Sequence, residues 1–237
     1  MRGLRLHDDG LRLEEIETPV PRAGEVLVEV HAAAITRDEL EWPTDRLPAT
    51  PSYELSGVVV DSGEEVYALT PFDRDGVAAE YAVVPVAVLA PKPKALSHVE
   101  AAALPMGGLI AWQALFDHGR LRAGERVIVI GASGGVGHLA VQLARNAGAE
   151  VVDEEPVDLV FDTAGGALPP GARVVTVAAE APGAEYFVVE PDRGQLVELA
   201  RLADEGVVRP AVDSTFPLDR ALEAFERVMA RGSVARL

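Results

Sequence analysis

Arg126-Val-Ile-Val-Ile-Gly-Ala-Ser-Gly-Gly-Val-Gly137-His-Leu-Ala-Val-Gln-Leu-Ala-Arg145 passes from an apolar, β-branched run through a glycine-dense turn into an amphipathic helix. Strand, phosphate loop and helix in that order open a dinucleotide-binding fold. Gly131, Gly134 and Gly137 carry the spacing. Gly131 permits the tight turn off the strand. Gly134 and Gly135 have no Cβ, so a pyrophosphate can reach the backbone N–H groups. Ser133 and Val136 complete the loop, and Gly137 lets the helix pack close to the sheet. The helix that starts near Val136 presents its positive end to the anion. The competing reading is a glycine-rich strand–helix turn in an α/β protein that binds no nucleotide.

Working outward, composition excludes several classes. The 237 residues include 38 acidic and 21 basic side chains, for a formal charge of −17. Such a surface repels nucleic-acid phosphates and anionic membranes, so neither is an expected partner. A nucleotide would be held by backbone dipoles and a few local arginines. Hydrophobic residues make up 49% of the chain, enough for a substantial core. There is no cysteine, which removes disulfides, thiolate metal sites and a cysteine nucleophile. His7, His31, His98, His118 and His138 lack ligand spacing, so no metal is expected. The opening residues carry no apolar signal segment, and no long apolar run follows; a cytoplasmic location is the expectation.

Residues 1–90 read as β-rich, with strands over Leu11–Ile16, Glu25–His31, Leu55–Val60, Glu65–Leu69, Val77–Val84 and Val86–Ala90. Frequent prolines mark turns and edges. A partly closed barrel is the expected packing. Pro91-Lys-Pro-Lys94 reads as a linker, and Ser97-His-Val-Glu100 has capping-box spacing before helical sequence. A second helix is expected from Met106 to Asp117. Strands near Leu159–Asp162, Arg173–Val177 and Phe187–Val189 suit βαβ winding. Two helices close the chain. Asp192–Glu205 has Leu196, Leu199 and Leu202 on one face. Pro217–Arg231 has Leu218, Leu222, Phe225 and Met229 on one stripe, read as core.

Several separated motifs then carry a family resemblance: Tyr53-Glu-Leu-Ser-Gly-Val-Val59, Lys92 to Pro105, Ala111 to Gly119, the run at 126–145, Phe161-Asp-Thr-Ala-Gly-Gly166 and Pro191 to Pro210. Together they resemble the medium-chain dehydrogenase/reductase superfamily, in its zinc-free quinone oxidoreductase and enoyl reductase branch. The resemblance implies an α/β chain with a β-rich GroES-like barrel domain (residues 1–92 and 216–237). A truncated, doubly wound Rossmann-type domain (residues 93–215) accompanies it. It also implies an active site in the cleft, a homodimer, and hydride transfer from NADPH, or NADH, to a quinone or an activated C=C bond of a small molecule.

The chain departs from that pattern. After the first helix, only Gly148 to Pro156 separate it from Val157-Asp-Leu-Val-Phe-Asp162. About ten residues cannot hold strand, helix and strand, so one βα unit is missing where the adenosine pocket is normally built. In one reading, Glu150–Val152 is the second strand and Asp153 ends it. Asp153 lies about 20 residues after the glycine loop, where an acid binds a ribose 2′-OH and repels a 2′-phosphate. In the other, the segment is the remnant of a later strand; a plain solvated acidic loop also fits. Relatives often have Asn where Thr36 stands and Thr where Ile110 stands.

Site expectations follow. Gly131, Ser133, Gly134, Gly135, Val136, Gly137, Asp153, Thr163, Gly165 and Gly166 are the candidate cofactor contacts, the last three as a turn near the nicotinamide ribose or an ordinary loop. Tyr53, Thr36 and Asp38 are the catalytic candidates. Tyr53 reads as proton donor, substrate-lining phenol or packed core. Thr36 and Asp38 read as cleft-lining residues or helix N-caps. Trp42 reads as a stacking surface for a flat quinone or as core. The function these observations support is a zinc-independent NAD(P)H oxidoreductase. The alternatives are a cofactor-independent cyclase or other non-redox enzyme, and a non-catalytic binding protein.

Overall fold

The computed structural model describes residues 1–36, 39–42, 46–165, 168–169 and 171–231. Two compact units emerge. The first gathers residues 1–105, 191–204 and 211–237; the second holds 106–190 and 205–210.

In the first unit, β1 (Arg2–His7) and β2 (Gly10–Glu15) form an antiparallel hairpin. A five-stranded antiparallel sheet follows the alternating sequence of this region. It comprises β3 (Glu25–Ala34), β4 (Glu54–Val59), β5 (Glu65–Leu69), β6 (Tyr81–Pro85) and β7 (Ala90–Pro91), in the order β6-β3-β4-β5-β7. Two isolated bridges, Gly3 to Ala79 and Leu6 to Ala49, join the hairpin to neighbouring segments. The strand expected over Val86–Ala90 is instead a 3-10 turn, Val86–Val88, before the two-residue β7. Pro85 ends β6, since proline has no N–H to continue a ladder.

Helix α1 (His98–Ala102) starts with the predicted capping box: Ser97 Oγ accepts from the Glu100 N–H, and the Glu100 carboxylate accepts from the Ser97 N–H. It packs on β3 and β4, which places it in the first unit, beyond the 91–94 linker. Helix α4 (Arg193–Asp204) belongs there too. Tyr67 Oη donates to the Leu196 carbonyl at 2.5 Å, and Arg193 Nε to the Leu89 carbonyl at 2.8 Å. Leu196, Leu199 and Leu202 are buried as expected.

Helix α5 (Ala221–Arg231) corrects the predicted stripe. Its buried face is Ala221, Ala224, Phe225 and Val228, packed with Leu4 and Ile35. Leu222 and Met229 are 44% and 46% exposed. The larger side chains had set the predicted phase, but the hairpin approaches so closely that small residues fill the contact.

The second unit is a parallel sheet of β8 (Arg126–Ile130), β9 (Glu150–Val151), β10 (Leu159–Asp162), β11 (Arg173–Thr176) and β12 (Glu185–Tyr186). Its order is β12-β11-β10-β8-β9. Helix α3 (Gly137–Asn146) carries β8 to β9 on one side, and the chain then returns to β10 on the other. That reversal is the topological switch point of a doubly wound sheet. The return from β9 to β10 contains no helix. It passes the start of β8, where the Arg126 N–H donates to Asp158 and its guanidinium to the Pro156 carbonyl. Glu150–Val151 is therefore the second strand, the first of the two readings.

Helix α2 (Pro105–Trp112) runs directly into a π-helical turn, Gln113–His118. The last strand lies at Glu185–Tyr186, not at Phe187–Val189. Beyond Phe187 the chain turns to other partners. The Glu190 main chain bonds in both directions with the buried Gln113 amide, and Phe187 stacks on His118.

Candidate functional site

In the second unit, the switch point falls between β8 and β10, and both strand ends carry candidate residues. Gly131 ends β8 with φ +82°, a region open to glycine. A Cβ there would lie 2.3 Å from Thr163 Oγ1. Thr163 in turn donates from Oγ1 to the Ile130 carbonyl at 2.8 Å. Gly137 opens α3 directly on the turn; its Cβ would lie 2.1 Å from the Gly131 carbonyl oxygen. The Gly134 N–H closes the loop onto Gly131 O at 2.8 Å. Among the described residues, the N–H groups of Gly135, Val136 and Gly137 meet no protein acceptor. They are the orphan donors of a helix start, with the positive end of the dipole behind them.

A cradle without side chains, lined by unpaired N–H groups, fits a pyrophosphate. Ser133 and Gly134 are exposed in it. His138, in the first turn of α3, holds its Nδ1 2.8 Å from Gly134 O.

The turn after β10 is fixed by a residue that motif spacing alone did not single out. Asp162 is 3% exposed. Its Oδ1 accepts from the N–H groups of Ala164 and Gly165 at 3.1 and 2.9 Å, and its Oδ2 from Thr176 Oγ1 at 3.1 Å. Thr163 and Ala164 are thereby held beside Gly131. Gly166 lies outside the described residues. Asp153 lies two residues past the end of β9 and is exposed, the place where a ribose-binding acid stands in such sheets.

In the first unit, Thr36 follows β3 and its N–H donates to Glu39 Oε2 at 2.8 Å. The other oxygen of Glu39 accepts from the Ser52 N–H at 3.0 Å. Glu39 is 6% exposed, and burial raises its carboxyl to about 8. The two main-chain bonds oppose that rise, and nearby Glu54 adds to it. Tyr53 is half-buried. Its ring is 5.9 Å from Trp42, stacked, and 5.1 Å from Phe72, edge-on. Burial, then Glu39, push its hydroxyl above the usual tyrosine range. Thr36, Trp42 and Tyr53 therefore share one locality. Asp38 lies outside the described residues. Glu39 was not singled out from sequence, although Thr36-x-x-Glu39 has the spacing of half a capping box.

Ser56, His98 and Glu65 form a line that invites a triad reading: Ser56 Oγ is 2.8 Å from His98 Nδ1, and His98 Nε2 is 3.3 Å from Glu65. Ser56 is fully buried and its hydroxyl donates to the Val66 carbonyl, so it is not poised as a nucleophile. A cavity of about 610 Å³ beside the hairpin is lined by three arginines: Arg5, paired with Asp75, Arg74, paired with Glu25, and Arg22.

A family model described as zinc-binding dehydrogenase matches residues 137–236. A probable mitochondrial zinc-binding oxidoreductase of Arthroderma benhamiae is 29% identical over 298 aligned positions, covering 93% of this chain and 90% of that protein. Because 298 positions exceed the 237 residues here, the relative carries segments this chain lacks. The quinone oxidoreductase of Mus musculus is 34% identical over 64% of this chain and 51% of its own length. Over most of its length the chain is similar to oxidoreductases of the medium-chain dehydrogenase/reductase superfamily. The quinone oxidoreductase of Thermus thermophilus, solved also in complex with NADPH, superposes with a TM-score of 0.80 at 28% identity, covering 100% of this chain and 98% of that one.

The superfamily supports a general oxidoreductase role. Zinc, which the family description names, does not fit this chain's donors. There is no cysteine, and among the described residues no three His, Asp or Glu side chains converge as a metal site requires. Among the described residues no helix is long and apolar enough to cross a membrane.

Proposed function

We propose that this chain is a zinc-independent, nicotinamide-dependent oxidoreductase that reduces a quinone or an α,β-unsaturated carbonyl compound by hydride transfer. The phosphate cradle carries the reading: Gly131 and Gly137 are sterically required, and three N–H groups beside them lack a protein acceptor. A bound reduced nicotinamide would supply the hydride. The chain's part is to grip the pyrophosphate on the start of α3 and to hold the Thr163–Gly165 turn through Asp162. Tyr53, Trp42 and Phe72 offer a flat, half-buried aromatic wall to a planar substrate, with the Tyr53 hydroxyl as a protonated donor.

Asp153 just past the end of β9 favours NADH over NADPH, because a carboxylate there repels a 2′-phosphate. The short edge strand β12 is the surface we assign to a homodimer.

The test is calorimetric titration with NADH and with NADPH, followed by loss of reduced-nicotinamide absorbance with cyclohexenone and with a benzoquinone. Micromolar NADH binding and turnover of either acceptor are expected. Absence of both would overturn the proposal. The missing βα unit and Ile110 favour a second reading, a non-redox reaction on the same scaffold, which predicts turnover of a substrate without nucleotide.

A further inference from the structure

Glu39 has a role that the hydride chemistry alone does not require. Its two carboxyl oxygens bind main-chain N–H groups from separate segments, Thr36 after β3 and Ser52 before β4. Ser52 is fully buried and sits at φ +68°, a conformation that residues other than glycine rarely adopt. A second tie holds it there, as Ser52 Oγ donates to the Ala34 carbonyl at 2.6 Å. The next residue is Tyr53. The carboxyl therefore fixes the distance between the end of one strand and the start of the next, and with it the placement of Tyr53 against Trp42.

We propose that Glu39 is a positioning residue for the substrate-binding half of the site, stapling Thr36 to the strained Ser52–Tyr53 turn. The proposal rests on the reductase reading for its kinetic consequence, but not for its structural one. Among the described residues, the ionisable groups that bear on the staple are Glu54 on β4 and Tyr53 ahead of it; Arg46 and Asp75 act on Tyr53 from beyond. Ionisation of Glu39 strengthens its two N–H bonds but places a charge where burial, and then Glu54, disfavour it, so the segments around the staple must shift to let solvent reach the carboxylate. The Tyr53–Trp42 stack changes with it, on the alkaline side of neutrality.

The test uses the full chain with Trp112→Phe, which leaves Trp42 as the only tryptophan. Trp42 emission is followed from about pH 6 to about pH 10, with and without Glu39→Gln. A transition at about 8 is expected with Glu39; it is lost in the glutamine variant and kept in Tyr53→Phe. In parallel, kcat/KM for cyclohexenone with NADH falls about tenfold per pH unit above that midpoint. Glu39→Gln is lowered about tenfold at neutral pH and flat on the alkaline side, with NADH affinity unchanged within about twofold, because the cofactor grip lies on other elements.

A transition that persists in Glu39→Gln, or its absence with Glu39 in place, overturns the proposal; the second outcome decides even if the glutamine variant fails to fold. A matching loss of NADH binding in Glu39→Gln also overturns it, by showing general unfolding. If the emission transition behaves as expected while cyclohexenone is not turned over, the staple stands and the reductase reading fails.

Discussion

Gly137→Ala and Gly134→Ala separate what the phosphate loop does for the fold from what it does for a ligand. At Gly137 a methyl carbon would lie 2.1 Å from Gly131 O, 2.6 Å from Gly131 C and 2.8 Å from Ala132 Cα. Real Cβ atoms essentially never come within 3.0 Å, so the turn and the helix start must part by at least about 0.9 Å. All three obstacles are main chain, so no rotamer change relieves them. Overpacking of this kind costs about 1–3 kcal/mol. Alanine's better helix propensity returns less than about 1 kcal/mol at a first-turn position. A net loss of about 2 kcal/mol corresponds to a melting temperature lower by about 4–8 °C for a chain of this size.

At Gly134 the added methyl meets only Gly131 O, at 3.2 Å, and otherwise faces open space. Stability should hold within about 0.5 kcal/mol, while the methyl stands where a phosphate must approach and weakens NADH by at least about tenfold, or about 1.4 kcal/mol. Urea unfolding and calorimetry on the same samples read both quantities. Unfolding of Gly137→Ala like the parent chain, or NADH binding by Gly134→Ala equal to the parent's, would refute these assignments.

Three further outcomes are expected. Glu39 carries a raised folded-state value of about 8 against an ordinary 4.5, so its contribution is complete below the ordinary value and is lost as pH rises through about 8; at about 1.36 kcal/mol per unit this removes about 5 kcal/mol over the window. Urea unfolding between those limits should show that slope with Glu39 and not with Glu39→Gln; equal slopes would contradict the buried-acid assignment. Asp162→Ala removes the acceptor of three bonds, leaving the Ala164 and Gly165 N–H groups and the Thr176 hydroxyl without it, and should cost about 1–3 kcal/mol. It should also raise the KM for NADH; an unchanged KM would show that the Thr163–Gly165 turn does not touch the cofactor. Tyr67→Phe leaves the Leu196 carbonyl without its donor and should lose about 1–2 kcal/mol in denaturant melts, without altering NADH affinity.

What could be read from sequence was local. The β8–loop–α3 unit is written in twenty consecutive residues, and the Ser97–Glu100 cap in four. Asp153 fell just past a strand end because the distance from the glycine loop is set by one helix and one turn. The long-range features were hidden. Asp162 and Thr176 meet across neighbouring strands, and Glu39 and Ser52 at a separation of thirteen positions, so no periodicity marks either pair. The phase of α5 misled because large side chains were weighted over Ala221 and Ala224, whose smallness lets Leu4 and Ile35 approach. The last strand was placed late because apolar Phe187–Val189 looks extended, while the hydrogen bonds beyond it go to the Gln113 side chain.

The bond from Tyr67 to Leu196 spans 129 residues of chain. Leu4 and Ile35 wait still longer for Ala224 and Val228. During synthesis, the front β-rich segment emerges first and is finished last. The parallel sheet lies almost wholly within residues 106–190 and can close as soon as those have left the ribosome. Until α4 and α5 arrive, the nascent front half exposes the faces of Leu4, Ile35 and Tyr67. Chains halted before Ala221 should therefore accumulate as chaperone clients, each carrying a completed parallel sheet and an unsealed antiparallel one.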